Sequence, residues 1–416
     1  MLNRRMLIAA GAAVPLLSLP AVLRAAQPDL SALTDLTTKV PRIGPAERAA
    51  RVARAQALMR AAGIRAVVIE PGASLTYFTG IRWSRSERLT AAVIPVEGEA
   101  LVVTPFFEEP SVRETLAVPA TVRVWQEDED PLALVAGWLN ERRMAAGPVG
   151  VEETARFFVS DGLAARLPGA KLVSANSVVR GCRMIKTPAE IALMQAATDV
   201  TVAAYRWTWP RVEAGMTGGD VAVLMQAATR KLGGDPLFAL ALVGEASAYP
   251  HGSHKVTRIA DGEVLLMDCG CAVDGYQSDV SRTFQYGRPT AEVRRVYDHM
   301  VKGQAIAFAA AEIGAPAGSV DDAVRRQYEA WGYGPRYALP GTSHRTGHGI
   351  GMDGHEPVNL VHGETTPLAA GMCFSNEPGI YLPGKFGVRL EDCFRMTAAG
   401  PRYFSTPPTS LDAPLG

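Results

Sequence analysis

No charge of one sign dominates this sequence. Its 42 lysines and arginines are matched by 42 aspartates and glutamates, so no net field draws the chain to nucleic acid or to anionic lipid. Cysteine is scarce. The five (Cys182, Cys269, Cys271, Cys373, Cys393) are an odd number without finger-like spacing, which argues against a zinc knuckle or a disulfide scaffold. They read as small buried thiols; a Cys373–Cys393 bridge is compatible with an oxidising compartment but does not follow from the sequence. Internal repeats, coiled-coil heptads and low-complexity blocks are missing, which removes solenoids and fibrous architectures. Beyond the first two dozen residues no apolar run approaches a transmembrane span.

What is present is enough for two domains after a leader: 416 residues, of which 48% are hydrophobic. The leader is expected over residues 1–26. A basic start (Arg4, Arg5) precedes an apolar run from Met6 to Leu23, followed by small residues at Ala25 and Ala26. Asn3-Arg4-Arg5-Met6-Leu7-Ile8 resembles a twin-arginine export signal, which predicts a periplasmic or secreted protein. Gly11, Pro15 and Pro20 interrupt the run, and a stable span needs about 20 apolar residues, so no membrane insertion is expected.

Residues 45–180 read as one α/β unit. A helical apolar period over Ala46–Ala62 ends at Gly63, Ala66–Ile69 is a short buried strand, and Glu97-Gly98 turns between strands at Ala91–Pro95 and Ala100–Thr104. A second helix is predicted over Leu132–Met144, with a strand from Val149. A boundary falls at 181–188, where Thr187, Pro188 and Glu190 form the start of a helix with a capping box. From residue 185 to 404 the chain alternates helices (188–207, 219–232, 290–313, 319–331) with long β-rich segments, and 405–416 reads as a loose tail.

The polar residues that point to chemistry all lie in those β segments. Asp274-Gly275 is a two-residue hairpin signal; if it is the turn, Val273 pairs with Tyr276 and Asp268 lies opposite Ser281. Asp279 then projects from the same face as Asp268, on a diagonal of about 7–8 Å. Two carboxylates aimed at one place repel each other unless a cation lies between them, and aspartate is disfavoured inside strands. Further along, His344, His348 and His355 place three of the seven histidines within a dozen residues, among glycines at 347, 349, 351 and 354. The 344/348 spacing suits a helical metal pair, but those glycines argue against a helix, so one histidine is the expected ligand and two are supporting. Glu377 stands before a Pro-Gly turn, and Glu391 is expected on a strand whose same face carries Arg389. Asp, Asp, His, Glu and Glu form a hard, carboxylate-rich set with one imidazole, better suited to two divalent ions than to one structural zinc.

These segments resemble the pita-bread metallopeptidases, the family of aminopeptidase P, prolidase and methionine aminopeptidase. The similarity rests on Asp268-Cys269-Gly270 with Gly275-Tyr276 through Phe284, on His348-Gly349-Ile350-Gly351-Met352-Asp353-Gly354-His355-Glu356, on Glu377-Pro378-Gly379-Ile380-Tyr381 and on Arg389-Leu390-Glu391-Asp392. It covers residues 45–400. It implies an α/β creatinase-type N-terminal domain followed by an α+β pita-bread catalytic domain. Carried over, Asp268 binds one metal, Asp279 and Glu391 bridge two, and His348 and Glu377 complete the second. Glu377 also shuttles a proton, His251 and His355 face the scissile carbonyl, and His344 and Arg389 support the site. The cofactors implied are two divalent ions (manganese, or cobalt, zinc or iron) activating a shared water. The substrate implied is a peptide with proline second, cut as an Xaa-Pro aminopeptidase or dipeptidase, and the implied assembly is a homodimer or homotetramer in which Trp83 or Arg85 reaches a neighbour. Two other functions share this scaffold: a metal hydrolase of a non-peptide amide, ester or sulfonium compound, and a creatinase-like C–N hydrolase, which lacks the metal carboxylates present here. Arg345 and Gly349 depart from many relatives and bear on substrate choice. His254, His362, Asp353 and Asp392 read as surface or packing residues, and Trp207 and Trp209 as core or interface residues.

Overall fold

The computed structural model describes residues 28–416; the expected leader lies outside them. Among the described residues no helix is long and apolar enough to cross a membrane.

The first half is a mixed six-stranded sheet. Its strands are β1 (Ala66–Ile69), β2 (Ala91–Pro95), β3 (Ala100–Pro105), β4 (Ala120–Trp125), β5 (Val149–Val151) and β6 (Leu172–Ser174), in the order β4-β3-β2-β1-β5-β6. The strands at its centre are apolar at every position but Thr104 and buried on both faces, because helices cover each side. Helices α1 (Pro45–Ala62), α2 (Ala73–Thr79), α3 (Glu109–Thr115), α4 (Pro131–Glu141), α5 (Phe157–Arg166) and α6 (Asn176–Arg183) surround it. The predicted helix from 132 to 144 ends three residues early, giving way to a 3₁₀ turn at Met144–Ala146.

Helix α7 (Pro188–Thr208) opens the second half with the expected capping box: Thr187 Oγ1 accepts from the Glu190 amide and Glu190 accepts from the Thr187 amide. Helices α8 (Gly218–Lys231), α9 (Ala291–Ala310) and α10 (Gly318–Ala330) follow. They cover a curved set of strands. Strand β7 (Asp235–Val243) pairs with β8 (Val264–Val273), which also pairs with β9 (Tyr276–Gln277) and β10 (Val280–Gln285). A second sheet runs β12-β11-β13-β16-β17, from β11 (Gly347–Gly349), β12 (Glu356–Leu360), β13 (Cys373–Phe374), β16 (Phe394–Thr397) and β17 (Gly400–Tyr403); β14 (Ile380–Leu382) and β15 (Phe386–Val388) form a hairpin.

The two halves share one apolar core, in which Met59 and Ile69 join Met225, Phe284 and Ile350. Polar ties reinforce it at the hairpin of β8 and β9. Arg51 of α1 lies 3.4 Å from Glu190, and the Tyr276 hydroxyl donates to Glu190 at 2.6 Å. Asp274, at the tip, accepts from the Ile43 amide and pairs with Arg82. The first half thus anchors the turn of the hairpin that carries Asp268 and Asp279.

The C-terminal dozen residues are packed rather than loose: Leu411 is buried in the core of the second half and Asp412 pairs with Arg294 at 2.9 Å. The apolar Leu411 and Leu415 account for this, since each has a core cluster to cover. Trp209 stacks on Phe284 with ring centres 4.3 Å apart, and Trp207 is buried, so both are packing residues. Trp83 packs on its own core, and Arg85 donates to Pro71 O and Thr154 Oγ1 within the chain. All five cysteines are buried and free.

Candidate active site

The hairpin forms as its turn residues dictate. Asp274 (φ 51°) and Gly275 (φ 85°) both adopt the left-handed conformation that a tight primed turn requires. Val273 pairs with Tyr276 and Asp268 with Ser281. Because the side-chain period is two, Asp268, Asp279 and Ser281 face one side, and the next residue, Arg282, faces the other.

Three further segments bring the remaining ligands. The chain passes His344 without helix and enters β11, where His348 pairs with Asn359. Gly347 packs against the Ser375 carbonyl so closely that a Cβ there would collide with it. This close approach lets the His348 amide donate to Ser375 Oγ (3.0 Å) and the Glu377 amide to the Thr346 carbonyl (2.8 Å), which sets His348 beside Glu377. Glu391 lies on an extended segment after β15 rather than within a strand; it makes a single bridge to Ser281. Two residues back the Thr283 hydroxyl occupies the Arg389 amide (3.0 Å) and carbonyl (2.9 Å), so a side chain replaces the ladder there.

The result is one cavity of about 550 Å³ lined by all nine residues singled out in the sequence. Carboxylate oxygens of Asp268, Asp279 and Glu391 lie within 4.8 Å of one another, and so do ligand atoms of His348, Glu377 and Glu391. Glu391 belongs to both groups, which gives two adjacent positions for a cation. A third group of the same size joins Asp279, His348 and His355.

The residues fit a pair of cations on their own chemistry. Asp268 Oδ1 and Glu391 Oε1 are buried and have no hydrogen-bond donor, a costly state for a carboxylate oxygen. Burial, compounded by the charges of Asp268 and Glu377, holds the Asp279 carboxyl well above the usual carboxylate range. Burial with Asp279, Glu377 and Asp268 does the same to Glu391. Burial pushes Glu377 up as well, but with the neighbouring imidazoles protonated the His348 hydrogen bond and the charges of His344, His348 and Arg389 outweigh it and bring the carboxyl down to about 2. In the neutral ring His348 Nδ1, 3.1 Å from the Gly349 carbonyl, carries the proton, and the Nε2 lone pair is turned towards Glu377 (3.2 Å) and Asp279 (3.8 Å). A lone pair aimed at two carboxylates calls for a positive centre between them.

Arg389 and Ser281 brace this cluster. Arg389 donates to Asp268 Oδ2 (2.6 Å), to Ser281 Oγ (2.9 Å) and to the Tyr381 hydroxyl (3.0 Å), and Ser281 Oγ donates to Glu391 Oε2 (2.8 Å). His344 is half-buried in the cavity wall, 3.9 Å from Glu377, and burial lowers its pKa. His355 stands at the rim with its ring centre 4.0 Å from that of His348; burial of its inner edge, His348 and Arg345 together bring its pKa down to about 4. His251 lines the same cavity.

Several supporting residues escaped the sequence reading. Tyr381 and Ser281 both lie inside quoted motifs, and the position of Ser281 opposite Asp268 was a usable signal. Glu356 was not legible as a hub: it accepts from Lys186 Nζ at 2.9 Å and pairs with Arg183, partners about 170 residues away. Asp353, which read as a surface residue, also pairs with Arg183 (2.7 Å).

Comparisons with known proteins bear on the family and the fold. Residues 192–398 match the model of metallopeptidase family M24, and residues 51–185 match the creatinase/prolidase N-terminal domain. The chain is 32% identical over 357 residues to the probable dipeptidase PepE of Mycobacterium tuberculosis, covering 85% of this chain and 92% of that one. It is 29% identical over 337 residues to the Xaa-Pro dipeptidase of Lactobacillus helveticus, covering 80% and 90%. Among solved structures, dipeptidase PepE from Mycobacterium ulcerans superposes with a TM-score of 0.81 at 33% identity, covering 89% of this chain and 99% of that one. The prolidase from Thermococcus sibiricus gives 0.78 at 28%, covering 86% and 96%. With a carboxylate-rich cluster able to hold metal on this two-domain scaffold, the chain belongs to metallopeptidase family M24 and carries the creatinase/prolidase N-terminal domain.

Proposed function

We propose that this protein hydrolyses the bond between an N-terminal residue and proline, with two divalent ions held by Asp268, Asp279, His348, Glu377 and Glu391. The observation that carries the reading is the pair of overlapping ligand groups that share Glu391, with two buried carboxylate oxygens left without donors. Relatives that bear the names Xaa-Pro dipeptidase and prolidase support the substrate class and favour dipeptides over longer chains. Manganese is the ion we favour, because hard carboxylate oxygens make up most of the donor set. Export to the periplasm belongs to the same proposal and rests on the sequence of residues 1–26 alone.

When bound, the two ions supply Lewis acidity, lowering the pKa of a water and polarising a carbonyl oxygen. The chain's own residues do the rest. Glu377, ionised at neutral pH, accepts a proton and passes it to the leaving prolyl nitrogen. His355 and His251, which both line the cavity, donate to the oxygen on which charge develops. Arg389 holds Asp268 and, through Ser281, Glu391, so that neither carboxylate turns away. His344 ties the Tyr381 hydroxyl to the segment that carries His348.

The test is hydrolysis of Gly-Pro and of a longer Xaa-Pro-Xaa peptide by the protein without residues 1–26, with manganese and with chelator, beside Glu377→Ala. Metal-dependent cleavage that disappears in the variant is expected, with the dipeptide preferred. Failure to cleave either peptide with two ions bound would sink proline specificity and leave a hydrolase of another substrate.

A further inference from the structure

We infer that residue 345 locks two histidines of the cavity in opposite tautomers, and that Arg345 is a positioning residue which makes His355 a hydrogen-bond donor and not a metal ligand. Its role in turnover rests on the proposed peptidase reading; the tautomer assignment does not.

The argument begins with what each partner is able to do. A backbone carbonyl only accepts, and a guanidinium only donates. His344 Nδ1 lies 2.8 Å from the Arg345 carbonyl oxygen, so the proton of the neutral ring is on Nδ1. Its Nε2, 2.8 Å from the Tyr381 hydroxyl, is then an acceptor, and Tyr381 donates to it. Arg389 donates to the same hydroxyl at 3.0 Å, which completes a chain with one consistent direction. Both nitrogens of His344 are therefore occupied, and this ring has no donor left for a substrate.

His355 is the reverse case. Its Nδ1 lies 3.1 Å from a terminal nitrogen of Arg345. The guanidinium has no lone pair to offer, so Nδ1 accepts and the proton of the neutral ring is on Nε2. No protein acceptor meets that Nε2 among the described residues, and the ring lines the cavity that holds the carboxylates. A nitrogen that bears a proton does not bind a cation. This removes His355 from the third ligand group, although a ring nitrogen lies within 4.8 Å of ligand atoms of Asp279 and His348. It leaves Nε2–H free to meet an oxygen that gains negative charge.

One residue thus acts twice: its carbonyl disarms His344 and its side chain arms His355. The backbone half is indifferent to the side chain at 345, so the two effects separate by mutation. Lysine, which also only donates, preserves the second effect if its ammonium reaches Nδ1; methionine abolishes it.

The experiment is a long-range proton–nitrogen correlation spectrum of the ¹⁵N-histidine-labelled protein at neutral pH, metal-free and zinc-loaded, with His344→Gln and His355→Gln to assign signals. We expect His355 with its proton on Nε2 and His344 with its proton on Nδ1. In Arg345→Met the His355 pattern averages between tautomers while His344 is unchanged, which also shows that the variant is folded. In Arg345→Lys the His355 pattern is retained. With a cleavable peptide, Arg345→Met lowers kcat by about 10- to 100-fold with little change in KM, less than the ~10²–10³-fold that one such donor contributes when removed outright, and Arg345→Lys recovers part of it. A wild-type His355 protonated on Nδ1, or a tautomer unaltered by Arg345→Met, overturns the inference. A raised KM with kcat and tautomer unchanged overturns it too, and makes Arg345 a substrate contact. If no Xaa-Pro peptide is cleaved, the spectra still decide the tautomers, so failure of the function and failure of this inference are told apart.

Discussion

Glu391 and Asp392 are neighbours in sequence, both fully buried, and serve opposite ends. Asp392 is saturated: Arg282 donates to it at 2.6 and 3.2 Å, Gln304 at 2.9 Å, and Ser405 reaches it as well. Glu391 accepts one bond from Ser281 and leaves Oε1 with no donor, beside two other carboxylates. The pairing hairpin separates them, since Ser281 faces the cavity and Arg282 the opposite side. A buried carboxylate with its own arginine is part of the frame; one whose oxygen is left bare among like charges is part of a site. The difference shows that burial alone says nothing of function, whereas the tally of donors does.

The comparison is broken most sharply by removing each carboxylate in turn. Glu391→Ala is expected to lower peptide hydrolysis by more than the ~10²-fold usual for supporting residues, while metal-free stability, measured by urea unfolding, holds or rises as like-charge crowding is relieved. Arg282→Ala does the reverse: it strands the Asp392 charge and costs about 3–5 kcal/mol of stability, read from the same urea curves. Equal losses of stability in the two variants would erase the distinction.

Metal linkage tests the cavity carboxylates next. Manganese at about 100 times its dissociation constant is expected to stabilise the protein by about 2.7 kcal/mol, visible as a higher melting temperature that chelator reverses. That shift disappears in Asp279→Ala and survives in Arg345→Met.

A similar magnitude is expected at Glu356, a third kind of buried carboxylate. Burial pushes it up, but Lys186 and Arg183 bring it down from 4.5 to about 2. A group whose pKa is lower in the folded state contributes stability above its unfolded pKa and loses it as pH falls through the folded one. The advantage of wild type over Glu356→Gln, about 2–3 kcal/mol, is therefore full above pH 4.5 and vanishes towards pH 2; an advantage that grows on acidification would refute the pairing. The smallest effect is expected from Ser281→Ala, which removes one donor to Glu391 and one acceptor for Arg389: about 1 kcal/mol in stability and about 10-fold in activity.

Much of this was legible beforehand for local reasons. Asp274-Gly275 selects a turn, the turn fixes the register, and the register puts Asp268 and Asp279 on one face without reference to the rest of the chain. Thr187 and Glu190 cap a helix within four residues, and that helix begins where the cap requires. The quoted motifs led to the carboxylates and histidines that line the cavity, but not to Tyr337 or Val361 beside them. The tail was misjudged because Pro407 and Pro408 suggest looseness, whereas Leu411 and Leu415 find core surfaces that no local pattern reveals. Glu391 was expected on a strand, and only the approach of Thr283 shows why the ladder stops short of it.

By itself the sequence determined the ligand types, their order, the hairpin register and the two-domain division, because each depends on contacts a few residues apart. Tertiary structure alone decided which carboxylates are neutralised by arginine and which are left bare, that Glu356 joins residues about 170 positions away, and which nitrogen of each histidine carries its proton. These depend on single distances near 3 Å between segments brought together only by packing, and no periodicity along a chain encodes such distances.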